Sequence, residues 1–350
     1  MATLRSSATA QPPHRYDQAE VVAALPLWLN AEQRLLTLAQ RVFENAAVRT
    51  RYGCRPLLEL SQPLSVTETS QLYRHYACQL GEEVVRASLM CANVAAREVD
   101  LIITTSCTGF MIPSLDAYLA NTIGFSAHVK RLPVTELGCA AGGVALARAF
   151  DYLQAFPLHT VLVAAVELPS LTFQFQDLSP ANVVSSALFG DGAAAVVLSG
   201  DSVPGRPQIL ATESTLFPQT TEVMGFDLRD SGFHIVLSAE IPELISAEVS
   251  QLVARFLGAH GLTISDMSHF FLHPGGRRVL EGLVECLGIM PEQVTVSKTI
   301  LRDYGNLSSA SVLYILDRFL TTEQTQPGDL GLLLAFGPGF SAEALLLRWE

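Results

Sequence analysis

Runs of apolar residues long enough for one strand alternate with amphipathic helical stretches through most of this chain. Near-continuous apolar strands of this kind are buried on both faces, which predicts an α/β fold. Two stretches follow one plan. The first runs from a strand at Leu101–Thr105 (LIITT) to a helix near Ser114–Ile123 and a strand near Val129–Thr135. A helix starting at Cys139 and the strand Val161–Val166 (VLVAAV) complete it. The second begins with the strand His269–Leu272 (HFFL), a helix near Arg277–Leu287 and a strand at Val294–Lys298. It ends with a helix starting at Asn306 and the strand Gly331–Ala335 (GLLLA).

The two stretches keep one offset. Thr105 and His273 are 168 positions apart, Cys139 and Asn306 167, and Val161 and Gly331 170. Three landmarks in step over that distance predict a duplicated architecture, two similar halves packed about a pseudo-twofold. The Gly- and Pro-rich segment Gly200–Pro207 (GDSVPGRP) is the best linker, which puts the halves at 1–205 and 206–350. A helical pattern at Ala31–Val48 precedes the first unit, and residues 1–20 read as a disordered lead-in without the apolar core of a secretory signal.

Composition narrows the function. Of 350 residues, 49% are hydrophobic and 16% charged, which excludes disorder and requires a large core. The net charge of −12 argues against nucleic acid or an anionic membrane as partner. No apolar run reaches the roughly 18 residues of a membrane span. Six cysteines lie at 54, 78, 91, 107, 139 and 286 without metal-ligand spacing, so free thiols in a reducing cytoplasm are expected, with no metal.

Three residues stand out chemically. Cys139 lies in GCAAGG, between strand and helix, where small neighbours admit a substrate and a helix amino end favours a thiolate. His273 ends an apolar strand in HPGG, where Pro and Gly stop the strand and leave the imidazole at its edge. Asn306, in YGNLSSAS, would by itself read as a helix cap. Its match to Cys139 across the repeat raises a chemical role above that reading. A thiol with His and Asn donors suits attack on an acyl carbonyl and stabilisation of charge on oxygen. Cysteine proteases use the same trio, but the CGSCW-type context is missing and a duplicated α/β fold is not theirs.

The chain resembles the thiolase superfamily, and within it the type III polyketide synthases, the chalcone-synthase-like enzymes of bacterial type. The matching motifs are GCAAGG around Cys139, LFGDGAAA at 188–195, HPGG at 273–276, YGNLSSAS at 304–311 and FGPG at 336–339, in family order. The resemblance implies a thiolase-like fold, two βαβαβ halves in a layered αβαβα architecture. It implies that Cys139 carries the starter and growing chain as thioesters. His273 and Asn306 then hold the malonyl thioester carbonyl while CO2 is lost, and the carbanion extends the chain by decarboxylative Claisen condensation. The substrates would be malonyl-CoA and an acyl-CoA starter, and no cofactor is implied.

Further positions follow from the resemblance. Phe189 and Phe233 match gatekeepers between the CoA tunnel and the cavity. Cys107, Pro169, Thr172, Gly225 and Ser308 match the cavity wall, and Ile112 matches a side chain reaching into the partner's cavity of a homodimer. Arg41 matches a CoA-phosphate-binding residue, while Asn45 stands where plant members have lysine. Arg277 and Arg278 could compensate. Cys107 and Pro169 depart from the plant pattern, which disfavours a chalcone product. An alkylpyrone or alkylresorcinol from a fatty acyl starter ranks first, and a malonyl-primed aromatic of the tetrahydroxynaphthalene or phloroglucinol type second. A single-condensation β-ketoacyl synthase III usually has Gln-Ala-Asn after its His, unlike the Pro-Gly-Gly here, and a degenerate scaffold would have lost one of the three side chains.

Overall fold

The apolar runs form strands because each face of each strand meets a different helix layer. A computed structural model describes residues 1–28, 33–175 and 177–350. The first half holds β1 (Ala2–Ala10), β2 (His14–Asp17), α1 (Gln18–Trp28), α2 (Gln33–Asn45), β3 (Thr50–Gly53) and α3 (Val66–Ala92). There follow β4 (Leu101–Thr105), α4 (Leu115–Ile123), β5 (Lys130–Val134), α5 (Ala141–Ala155), β6 (Thr160–Glu167), α6 (Pro180–Leu188) and β7 (Gly192–Ser199). The second half opens with β8 (Pro207–Leu216), the hairpin β9 (Met224–Arg229) and β10 (Gly232–Leu237), and α7 (Ile241–Gly258). It continues with β11 (His269–Leu272), α8 (Arg277–Leu287), α9 (Thr295–Tyr304), α10 (Ser311–Thr322), β12 (Leu330–Gly337) and β13 (Ser341–Trp349). The helical pattern expected from Ala31 is α2; Ala31 and Glu32 lie outside the described residues.

Among the described residues nine strands join in the order β11-β12-β13-β8-β1-β7-β6-β4-β5. The two half-sheets meet only where Ala2 pairs with Ile209 and Thr3 with Gln208. Side-chain parity then builds the layers. Ile103, Val163 and Val196 share a core with α5, α10 and Leu333, Leu345 and Leu347 of the other half-sheet. Their neighbours Ile102, Leu162 and Val197 face the opposite way, onto α3 and α4. Leu332, Leu334 and Leu346 likewise pack on α7 and α8. The result is the expected αβαβα sandwich, with α5 and α10 in its middle layer. Each such buried aliphatic side chain stabilises the fold by about 1.5–3 kcal/mol, so the central helices are held from both sides.

Two expectations are corrected. Residues 2–10 are not a disordered lead-in but a central strand, paired along β7 from Thr3 to Ala10, with Ala2 and Leu4 fully buried. The segment ATLRSSATA looks too polar for this, but its two serines have specific partners: Ser6 Oγ donates to the Ser88 carbonyl at 2.7 Å and Ser7 Oγ to Asp317 at 2.7 Å. Residues 294–298 are not a strand. They lead from a 3-10 turn into α9, and the buried positions Val294, Ser297, Ile300 and Leu301 have helical spacing. β5 therefore has no counterpart in the second half among the described residues.

Candidate active site

Both central helices are entered through a tight turn at the same point in the sandwich. Gly138–Ala140 leads into α5 and Ser308–Ala310 into α10. Cys139 thus lies within the turn, two residues before α5, and Asn306 lies just ahead of its turn, five before α10. A Cβ on Gly142 would come within 2.2 Å of the Ser309 carbonyl oxygen, so only glycine lets the two helix starts approach this closely. Glycine is also required at 305, where φ is 75° and a Cβ would meet the Leu188 carbonyl.

Cys139, His273 and Asn306 line one cavity of about 920 Å³. Their relative exposures are 7%, 2% and 2%, so all three are out of bulk water. Cys139 Sγ sits 3.5 Å from Ser308 Oγ. His273 continues the line of β11, its backbone N–H donating to the Leu334 carbonyl at 2.8 Å, and its Nδ1 has no hydrogen-bond partner among the described residues. The Asn306 side-chain oxygen accepts from the Ser308 backbone N–H at 2.8 Å and from Ser311 Oγ at 3.3 Å. That leaves its Nδ2 as the donor, and the amide acts on the Cys139 sulfur to favour the thiolate.

Burial dominates the electrostatics. It pushes the Cys139 thiol up to about 12, against the donors of Ser308 and Asn306. It also holds His273 down to about 3. Either charge alone is disfavoured in this chamber, whereas passing the thiol proton to the imidazole creates both together without changing the net charge. A thiol, an imidazole and a carboxamide on one cavity are the groups that attack on an acyl carbonyl, with donors to its oxygen, would need.

The His273 shift has a consequence for stability. An unfolded chain protonates this imidazole near its ordinary 6.5, while the folded chain resists down to about 3. Over that window the unfolded state binds more protons, so stability falls as pH falls. Thermal scans of wild type and His273→Gln from pH 7 to pH 4 are expected to show a shallower loss of Tm in the variant. Parallel curves would contradict the burial of a neutral imidazole.

The remaining wall is polar on one side. Cys107 Sγ lies 3.3 Å from Ser308 Oγ and 3.7 Å from Glu167 Oε2. Glu167, wholly buried at the end of β6, also accepts from the Cys107 backbone N–H at 3.1 Å, from Thr108 Oγ1 at 2.8 Å and from Ser309 Oγ. Burial raises its carboxyl above the usual range, with those donors opposing. The sequence reading missed Glu167; the signal was an acid closing the apolar run VLVAAVE. Pro169, Thr172, Gly225 and both expected gate residues, Phe189 and Phe233, line the same cavity. Phe233, on β10, packs edge-on against Phe226, with ring centroids 5.6 Å apart. Arg41, Asn45, Arg277 and Arg278 line its exposed rim. Ile112 lies outside this chain's own cavity and is 81% exposed.

Comparison with known proteins agrees with this arrangement. The N-terminal domain of chalcone and stilbene synthases matches residues 1–202 and the C-terminal domain residues 208–349. The chain is 40% identical over 348 residues to a 1,3,6,8-tetrahydroxynaphthalene synthase of Streptomyces peucetius subsp. caesius, covering 97% of this chain and 91% of the relative. It is 29% identical to an alpha-pyrone synthesis polyketide synthase-like protein of Mycobacterium tuberculosis, covering 99% of this chain and 91% of that one. The crystal structure of 1,3,6,8-tetrahydroxynaphthalene synthase from Streptomyces coelicolor A3(2), a bacterial type III polyketide synthase, superposes with a TM-score of 0.95. It shares 34% identity, with 99% of each chain covered. A thiol, an imidazole and a carboxamide brought to one buried chamber by a duplicated αβαβα fold, in a chain matched from end to end, place this protein in the chalcone and stilbene synthase family as a type III polyketide synthase.

Proposed function

We propose that Cys139 is the nucleophile of this synthase and that His273 and Asn306 are the donors that hold the thioester carbonyl of malonyl-CoA. The observation that carries the reading is the convergence of these three buried side chains on one cavity. Cys139 Sγ attacks the starter thioester as its proton passes to His273, and CoA leaves as the thiol by taking a proton back. Malonyl-CoA then binds with its thioester oxygen toward His273 and the Asn306 Nδ2. Loss of CO2 puts negative charge on that oxygen, where two fixed donors withdrawn from bulk solvent are most effective. The enolate carbon attacks the Cys139 thioester, forming the new carbon–carbon bond and releasing the Cys139 thiolate. The 1–205 half supplies the nucleophile and the 206–350 half the donors.

The starter is proposed to be malonyl-CoA itself, with a polyhydroxylated aromatic of the tetrahydroxynaphthalene kind as product. Two things support this: the relatives of that name at 40% and 34% identity, and the Cys107 and Ser308 side of the cavity, whose thiol and hydroxyl can hydrogen-bond an oxygen-rich polyketide. This puts first the product that the sequence alone ranked second. A fatty acyl starter giving an alkylpyrone is the second reading, favoured by the apolar side of the cavity (Met224, Ile235, Leu237, Ile245) and by the space left at Gly225. Incubation with malonyl-CoA alone, and then with acyl-CoA starters of graded length, is expected to give the aromatic in every case, identified by mass spectrometry. Product only in the presence of a fatty acyl-CoA would replace the first reading with the second.

Arg41, with Arg277 and Arg278 of the same cavity lining, is proposed to receive the CoA phosphates at the rim. A homodimer is proposed on the exposed apolar Phe110 and Ile112, which follow β4 and would be covered by a second copy. No helix among the described residues is long and apolar enough to cross a membrane. A cytoplasmic setting is proposed on the six free cysteines.

A further inference from the structure

Helix α6 ends directly at Phe189, and its last carbonyls need partners that the helix itself cannot supply. They find them far away in sequence. Arg51, on β3, donates through Nη1 to the Ser186 carbonyl and to the Phe189 carbonyl, the latter at 3.0 Å. Its Nη2 donates at 3.0 Å to the Gln18 side-chain oxygen. Gln18 Nε2 in turn donates to the Ala187 carbonyl and the Phe43 carbonyl, both at 3.1 Å. The Leu188 carbonyl accepts from the Asn306 backbone N–H at 2.9 Å, and the Gly190 N–H returns to the Asn306 carbonyl at 3.1 Å. Four consecutive carbonyls, 186 to 189, are thus all held. Phe189 and Asn306 form one backbone bridge, clamped from behind by a single guanidinium.

That guanidinium is 6% exposed, and its hydrogen-bond partners are carbonyl oxygens and an amide rather than carboxylates. Burying a cation is costly. Here the negative end of the α6 dipole faces it, and the Phe43 ring lies 5.5 Å away. Such a charge is poorly placed to serve the core alone, since an apolar side chain would fill the space without the desolvation cost. Its geometry serves the bridge. Phe43 also belongs to α2, whose Arg41 and Asn45 line the cavity rim, so the same cluster links rim, gate and donor loop.

We infer that Arg51, supported by Gln18, is a positioning residue for polyketide extension: it fixes the backbone of Phe189 and, through the Phe189–Asn306 bridge, the donor loop. This rests on the roles proposed above for Phe189 and Asn306. A methionine or lysine at 51 frees the 186 and 189 carbonyls, so the gate and the Asn306 amide lose their register while Cys139 stays in place.

The test uses the full-length enzyme and malonyl-CoA with wild type, Arg51→Lys, Arg51→Met and Gln18→Met. Val85→Ala, a core change in α3 away from the cavity, is the stability control. Rates, KM, Tm and the ratio of full-length product to prematurely released lactones are measured below each variant's melting range. Arg51→Met is expected to lower kcat on the order of 10²-fold, the scale of a misplaced catalytic group, with a smaller change in KM. Arg51→Lys and Gln18→Met should fall between it and wild type, and all three should shift the ratio toward short lactones. Val85→Ala should lower Tm without moving the ratio. Should Arg51→Met not fold, the two milder variants decide. A wild-type product ratio in those variants, with rate losses no greater than in Val85→Ala, would overturn the inference. Failure of the wild type itself to make polyketide would instead overturn the function proposed above.

Discussion

Cys139→Ala is expected to leave the protein folded and to abolish chain extension, lowering product formation by at least about 10⁴-fold, because no second group can take over covalent attachment of the acyl chain. The side chain is small and faces the cavity, so its truncation removes little packing. Malonyl-CoA decarboxylation should persist in this variant, since the donors proposed for the thioester oxygen, His273 and Asn306, belong to the other half of the chain. Cys107 is the one thiol near enough to compete, and its position explains why it should not. Its Sγ is held between Ser308 and Glu167, and burial beside that acid raises its pKa well above the ordinary thiol value. Steady-state product analysis with separate measurement of CO2 release checks both halves of the expectation. Residual extension at a tenth of the wild-type rate would mean another residue carries the chain.

Asn306→Ala is expected to do the reverse: decarboxylation should drop by about 10²–10³-fold, the effect of removing one donor from an oxyanion site. The carboxamide is unusually well fixed for that task. With its oxygen committed to the Ser308 N–H and Ser311 Oγ, it can present only its N–H donors to the cavity. Asn306→Asp tests the same point without loss of volume, because a carboxylate accepts where Asn donates. Acylation of Cys139 by a starter should remain measurable in both variants, so the two chemical steps separate. Decarboxylation at the wild-type rate in Asn306→Ala would remove this residue from its proposed role.

Much of this site was legible in the linear chain. A constant offset of 167–170 residues between strand ends and helix starts placed Cys139, His273 and Asn306 on corresponding edges of two halves. Gly and Pro around each of them then marked sharp turns at those edges. The offset was looser than it looked, because both central helices begin through an extra tight turn, so the residue matching Cys139 at a separation of 170 is Ser309 rather than Asn306.

What the chain concealed was polar burial. The segment ATLRSSATA reads as coil because the partners of its serines, Ser88 and Asp317, are invisible until the fold closes. VTVSK alternates like a strand over five residues, yet its continuation to Leu301 follows a helical face. Glu167 and Arg51 were passed over for one reason. Charged residues are mostly exposed, and nothing local tells that hydroxyls 59 and 142 positions away, or carbonyls 135 and 138 away, will meet them.

The central claim is that the growing chain rides on one particular sulfur. Enzyme mixed with malonyl-CoA, quenched in acid during turnover and digested, should yield the peptide containing residue 139 carrying an acyl mass, with the peptide containing Cys107 unmodified. An acyl group on Cys107, or on neither peptide while product accumulates, would contradict the account.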